Sequence, residues 1–255
     1  MYTNDSKIAI LIPARKGSKR LTNKNLKIFV GKPLLQWTID AALKSKVNNI
    51  YFTTDYMPSE LGFKMPKEVT WINRPVEICQ DNSKANDYIR HFFELYPKIE
   101  VVILLQVTSP LRTTLDIKTA LKEYLESKIE TLISAFRLDS KNKLYRFTGG
   151  TIYGTTYRPT DDPIYYRNSA IYIFSKKHFR TVGTIFSAKP LIYEMPLARS
   201  IDISTQSDFN YAERMVKYNS GGNIDVYDDF IVNNNSTIDI GDSSIDLDDK
   251  EINEL

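Results

Sequence analysis

Cysteine occurs once in this chain, at Cys79, and histidine twice, at His91 and His178. A single thiol excludes an internal disulfide and a cysteine-rich zinc site, and two histidines exclude a histidine-rich metal centre. Long apolar runs are missing too, since none approaches the length of about eighteen residues that a membrane span needs. The opening MYTNDSK is polar and leads directly into a strand-like segment, which is not the pattern of a secretory signal. These absences point to a cytosolic protein without a membrane partner. A local shortage is more informative. From Lys7 to Lys32 there are eight Lys or Arg residues and no acid, and between residues 13 and 28 there is no aromatic side chain. Single-strand binders interleave stacking aromatics with their cations, so this basic run argues against nucleic acid as the partner.

With 255 residues, 42% hydrophobic and 25% charged, the composition is that of a globular protein. A core of one elaborated domain or two small ones can be buried at this length. The net charge of +3 hides an asymmetry: residues 224–255 carry ten acids against Lys250 alone, a balance of −9, and the remainder stands at +12. A basic body suits a polyanionic ligand. The Asn/Asp/Ser-rich tail fits low-complexity disorder, while its regularly spaced FIV, STIDI and SSIDL fit strands or a docking segment. Residues 1–223 are read as one domain and 224–255 as an acidic tail.

KIAILI (7–12) is short, β-branched and without helical period, which predicts a buried strand. In GKPLLQWTIDAALKS (31–45), Leu34, Leu35, Ile39, Ala42 and Leu43 share one face of a helix opening near Pro33. NNIYFTTD (48–55), EVVILLQ (100–106) and TLISAFRL (131–138) read as strands; NDYIRHFFELY (86–96), TLDIKTALKEYLES (114–127) and SDFNYAERMVKY (207–218) read as helices. Alternation of this kind implies an α/β fold with a mostly parallel sheet covered on both sides. Between Asp139 and Lys189 the rhythm breaks into Tyr-, Thr- and Gly-rich segments, which predict an inserted antiparallel arm.

In open α/β sheets ligands sit beyond the carboxyl ends of the strands, which here means residues 13–25, 53–55 and 106–112. IPARKGSKRLTNKNL (12–26) is therefore placed as a site. It lacks the spacing of a P-loop. Main-chain N–H groups around Gly17 and Ser18, with several cations, suit a nucleoside triphosphate. Arg15, Lys19 and Lys24 would neutralise the phosphates, with Ser18 and Asn25 adding hydrogen bonds, and Lys16, Arg20 and Lys27 are taken as solvated. In LLQVTSPLR (104–112), Gln106 emerges at the mouth of the pocket, and Arg112 either anchors the loop or meets ligand. Asp81 either caps the following helix or contacts ligand, and Asp208 caps the helix after it.

IPARKGSKRLTNKNL, LLQVTSPLR, NSAIYI (168–173) and YEMPLARSIDISTQSDFNYAE (193–213) occur in the order seen in acylneuraminate cytidylyltransferases, and residues 7–218 resemble that family. The resemblance implies a nucleotidyltransferase-type sheet, CTP and an acidic nine-carbon sugar as substrates, Mg²⁺ as cofactor, and a homodimer in which the arm closes the partner's sugar site. By the same resemblance Arg15, Lys24 and Asp202 are catalytic, Arg74 and Ser83 hold the nucleoside, and Gln106, Asn168 and Tyr172 face the sugar, residues 168, 170 and 172 sharing one strand face. Asp202 and Ser204 hold the metal, Ser204 standing where the family commonly has a second aspartate. Three other departures from the family pattern are Val107 for proline, Ser169 for glycine, and Asn82, Lys84 and Ala85 in a string that is usually rich in Ser and Thr. A Kdo-like acidic sugar and a catalytically silent nucleotide-binding relative are the alternatives.

Overall fold

The computed structural model describes residues 5–138, 144–148, 151–155 and 163–219; the acidic tail lies outside the described residues. The chain begins with β1 (Ile8–Ala14), the loop carrying the short pair β2 (Ile28–Phe29) and β3 (Lys32–Pro33), α1 (Leu34–Lys44), β4 (Asn49–Thr54) and β5 (Val69–Asn73). It continues through α2 (Ala85–Leu95), β6 (Val101–Leu105), α3 (Thr114–Glu126), β7 (Thr131–Arg137), and the hairpin β8 (Leu144–Thr148) and β9 (Thr151–Thr155). The last elements are β10 (Tyr165–Ser175), α4 (Lys176–Val182), β11 (Leu191–Glu194) and α5 (Gln206–Asn219).

Seven strands form one sheet in the order β11-β7-β10-β6-β1-β4-β5. All seven residues of β1 are buried because both faces of the sheet are covered. Ile8, Ile10 and Ile12 pack with α1, α3 and α5 through Leu34, Leu35, Ile117, Leu121, Phe209 and Val216. Ala9 and Leu11 face the other way, against Ile89, Phe92 and Phe93 of α2 and Phe179 of α4. A strand with no solvent face reads as a continuous apolar run, as KIAILI does.

The predicted arm is smaller than the sequence suggested. β8 and β9 do form a separate antiparallel pair, Leu144 opposite Thr155. The segment AIYIFS, within the 139–189 stretch that the composition assigns to the arm, belongs instead to β10, which inserts antiparallel between β6 and β7 with Ile171 opposite Leu105 and Ile173 opposite Leu132. The Tyr/Thr/Gly-rich composition concealed that AIYIF is apolar on both faces, as a central strand must be. Since β10 alone runs against the rest, its amino end joins the carboxyl ends of the six other strands at one edge. Among the described residues no helix is long and apolar enough to cross a membrane.

Candidate functional site

The basic loop leaves the carboxyl end of β1 and is shaped by its own side chains. Leu21 and Asn25 are buried. Asn25 Nδ2 donates to the Arg15 carbonyl (2.9 Å), and the Lys16 amide donates to Asp55 Oδ1 (2.8 Å) at the end of β4. Gly17 has φ 77°, a left-handed conformation that glycine adopts without a Cβ penalty. Folded this way, the loop forms one wall of a cleft of about 570 Å³, which Arg15, Ser18, Lys19, Arg20, Lys24 and Asn25 line together with Asp81, Gln106, Thr108 and Ser204. A narrower pocket of about 190 Å³ adjoins it, sharing Pro13, Arg15 and Gln106 and adding Arg74, Ser83 and Tyr88.

Lys24 joins the two halves of the larger cleft. Its Nζ donates to the carbonyl of Ile203 (2.8 Å), whose own amide donates to Thr108 (2.8 Å). The basic loop, the turn after β6 and the segment before α5 are thus tied in one chain of hydrogen bonds. Burial pushes the Lys24 ammonium below the usual lysine range, against the opposing pull of the nearby Asp202 carboxylate, and Arg20 adds to the lowering. In the smaller pocket Arg74 is buried, donates through Nη2 to the Thr53 carbonyl (2.8 Å), and lies 4.7 Å from the centre of the Tyr88 ring. Tyr88 is hydrogen-bonded to Gln106, and burial raises its hydroxyl to about 12, so it stays a neutral donor at physiological pH. Ser83 Oγ donates to the Glu77 carbonyl (3.4 Å) at the rim.

The structure brings Arg15, Ser18, Lys19, Lys24, Asn25, Gln106 and Ser204 into the one cleft, and Arg74 and Ser83 into its neighbour. Asn25 acts chiefly as a brace, because its amide is engaged by the loop's own backbone. Asp202 is exposed beside Lys24. The predicted sugar contacts Asn168 and Tyr172 are both buried. Asn168 is 1% exposed: its Oδ1 accepts from Ser134 Oγ (2.6 Å) and its Nδ2 donates to Ser200 Oγ (2.8 Å). Its amide is therefore fully occupied in joining β7, β10 and the segment before Asp202. Tyr172 is buried with its ring edge-on to Phe186, 5.9 Å between centres; its hydroxyl lies within electrostatic reach of Tyr88 and Asp202, and among the described residues neither Asn168 nor Tyr172 lines the two cavities above.

The expectation that residues 168, 170 and 172 share a face also fails. The β10–β7 register shifts between Arg167 and Tyr172, and Ser169 has φ 61°. This bulge puts Ala170 in the core with Ile171 and Ile173, while Tyr172 packs on the opposite face. Period-two alternation does not survive an inserted residue. The left-handed φ also accounts for the glycine usual at this position, since a serine there carries a steric cost of about 1–2 kcal/mol.

Three other expectations are resolved. Arg112 is an anchor: 2% exposed, it donates through Nη1 to the carbonyls of Gln106 (3.2 Å) and Ala170 (2.8 Å). Asp81 is not a helix cap, for Lys84 occupies the N-cap of α2 and Asp87 accepts its amide (2.8 Å); Asp81 pairs with Arg15 (3.1 Å) and Lys19 instead. Asp208 helps cap α5 from its first turn: Thr205 precedes the helix and accepts the Asp208 amide (3.2 Å), while Asp208 Oδ2 accepts from the amides of Ser204 (2.9 Å) and Thr205 (2.7 Å). Of the cations set aside as solvated, Arg20 lines the cleft, Lys16 pairs with Glu60 (2.5 Å), and Lys27 lies over the Phe209 ring. Sequence reasoning missed Tyr88 as a pocket residue, because at the start of an amphipathic helix it reads as core.

Among the described residues no three of His, Cys, Asp and Glu cluster as a metal cage. The expected metal donors, the Asp202 carboxylate and the Ser204 hydroxyl, lie beside Lys24 and in the cleft wall, and the acid lining the cleft, Asp81, is paired with Arg15 and Lys19. Hard oxygen donors this few suit Mg²⁺, which keeps most of its waters and completes its shell with substrate phosphates.

Residues 9–230 match the sequence profile of the cytidylyltransferase family. The chain belongs to that family. Among curated cytidylyltransferases, an N-acylneuraminate cytidylyltransferase of Streptococcus agalactiae is 32% identical over 212 residues, which cover 78% of this chain and 51% of that protein. A CMP-N,N'-diacetyllegionaminic acid synthase of Legionella pneumophila is 30% identical, covering 84% of this chain and 97% of that one. The chain thus spans about half the length of the Streptococcus relatives it matches. Solved structures share the fold. A CMP:2-keto-3-deoxy-manno-octonic acid synthetase complexed with CTP superposes with a TM-score of 0.59 at 17% identity over 84% of this chain and 99% of that one. The 2-C-methyl-D-erythritol 4-phosphate cytidylyltransferase of Francisella tularensis superposes with a TM-score of 0.62 at 14% identity, over 82% and 100%. At 14–17% identity the likeness is one of fold.

Proposed function

We propose that this chain transfers the CMP unit of CTP to the anomeric hydroxyl of an acidic, sialic-acid-like sugar. In that displacement the hydroxyl oxygen bonds to the α-phosphorus, the bond to the pyrophosphate oxygen breaks, pyrophosphate leaves with that electron pair, and the hydroxyl proton passes to solvent water. The observation that carries the reading is the convergence of Arg15, Lys19 and Lys24 on one cleft beside a narrower pocket holding Arg74 and Tyr88. Phosphoryl transfer asks a protein chiefly for positioning and charge neutralisation, and these cations offer both. Gln106, shared by the two cavities, is placed to orient the ligand where they meet. The nine-carbon sugar class is supported by the names of the relatives, N-acylneuraminate cytidylyltransferase and CMP-diacetyllegionaminic acid synthase.

Asp202 and Ser204 would hold Mg²⁺ against the phosphates. Bound there, the ion would neutralise phosphate charge and lower the pKa of the attacking hydroxyl. Asp202→Asn is expected to lower kcat by on the order of 10²-fold, while CTP affinity, titrated without sugar, stays nearly unchanged. Equal losses in both would assign Asp202 to nucleotide binding instead.

The reading is tested by following pyrophosphate release from CTP and Mg²⁺ with N-acetylneuraminic, legionaminic, pseudaminic and Kdo sugars, with ATP, GTP and UTP as controls. Turnover is expected with CTP and a nine-carbon sugar. Turnover with Kdo alone would move the substrate to the eight-carbon class, and CTP binding without turnover across the panel would make this a silent relative. A homodimer belongs to the same reading, supported by Tyr166, which stacks on Phe136 yet is 61% exposed. A monomer mass by light scattering would exclude it.

A further inference from the structure

The cleft of cations contains one acid. Asp81, on the loop between the Val76–Ile78 turn and α2, sets Oδ1 3.1 Å from both Nη1 and Nη2 of Arg15 and pairs its other oxygen with Lys19 Nζ. Lys19 and Arg15 between them hold its carboxyl below the usual carboxylate range. Arg15 is also tethered independently of that charge, Nη1 donating to the Cys79 carbonyl at 3.4 Å. These are two of the three cations assigned above to the triphosphate. Any polyphosphate that engages them must exchange with the Asp81 carboxylate and then lie beside a like charge.

We propose that Asp81 is an internal counter-ion that weakens the cleft's hold on polyphosphate and so favours release of pyrophosphate after transfer. The proposal rests on the polyphosphate reading of the cleft. Its logic is that a transferase must let go of a leaving group which retains most of the charge that bound the substrate. A carboxylate already in contact with both cations re-pairs with them as pyrophosphate leaves. Side chains this exposed give the exchange a modest size rather than a decisive one, because water and salt screen the pairs.

The test is the binding of inorganic pyrophosphate to the full chain by calorimetry, without sugar, in wild type, Asp81→Asn and Asp81→Glu. Asparagine keeps an oxygen that accepts from Arg15 and removes the charge. Asp81→Asn is expected to bind pyrophosphate roughly 3- to 10-fold more tightly, with a steeper dependence on salt. Asp81→Glu, which keeps the charge, should stay near wild type. Unchanged or weaker binding in Asp81→Asn would overturn the proposal and make Asp81 a brace for Arg15. If neither wild type nor variant binds pyrophosphate or CTP, the polyphosphate reading itself falls, and the proposal with it.

Discussion

Lys24→Met is expected to lower kcat by about 10²- to 10³-fold, with a melting temperature close to that of wild type. The magnitude is that of losing one charged donor directed at developing negative charge. Lys24 is well placed for such a loss. Its ammonium sits in the cleft wall, partly desolvated, where a charge interaction is stronger than in water. The same Nζ holds the Ile203 carbonyl, so the variant also frees the loop segment that carries Asp202 and Ser204. Methionine retains the apolar stem and with it the packing against neighbouring backbone. Steady-state kinetics with a saturating sugar, alongside thermal melting, separates the two effects. A kcat within threefold of wild type would remove Lys24 from the catalytic machinery and leave it a structural tie.

Arg199→Met should destabilise the fold by about 3–5 kcal/mol, the usual consequence of removing one partner of a buried ion pair. Asp116, near the start of α3, is 1% exposed. Its oxygens accept from Arg199 Nη2 (2.7 Å) and Nε (3.2 Å), from Tyr193 (3.1 Å), and from the amide and hydroxyl of Thr113 (2.8 Å each). Without Arg199 that carboxylate remains buried with only neutral hydrogen-bond donors, the Arg112 charge acting on it from nearby without a hydrogen bond. For a domain of this size each kcal/mol corresponds to about 2–4 °C, so a fall in Tm of about 10 °C is expected. Arg199→Lys should restore only part of it, because lysine cannot make the forked contact. A change of less than 2 °C would show that water reaches Asp116 readily. The pair matters for function through position: Arg199 lies three residues before Asp202, and the contact to α3 fixes the approach of that segment to the cleft.

Much of this arrangement was legible in the residues, and the reasons differ by element. β1, β6 and the helices α1, α2, α3 and α5 follow directly from apolar runs and 3.6-residue periodicity, because burial on both sheet faces or on one helix face dictates those patterns. The basic loop was legible because cations without acids at a strand end have few structural explanations. β5 and β11 were not read as strands. In Val69–Asn73, at the sheet edge, only Val69 and Ile72 are buried, which gives no period-two signal, and Leu191–Glu194 is too short to show a pattern. β10 was misassigned because its antiparallel insertion is decided by contacts with β6 and β7, remote in sequence. Asn168 illustrates the same limit. An amide suits a polyol and suits a buried network equally, and the network it forms here is set by Ser134 and Ser200, both remote in sequence. Asp81 was legible as a charge, but its pairing with Arg15 spans 66 residues and has no local signal.

The most direct test of the account is ³¹P NMR of CTP, Mg²⁺ and N-acetylneuraminic or legionaminic acid incubated with the chain. The account predicts loss of the three CTP resonances with equal growth of inorganic pyrophosphate and a single phosphodiester signal from the CMP-sugar. Appearance of CDP with inorganic phosphate, or of free CMP with pyrophosphate and no phosphodiester, would show that the cleft cleaves nucleotide without transferring CMP to the sugar, and would contradict it.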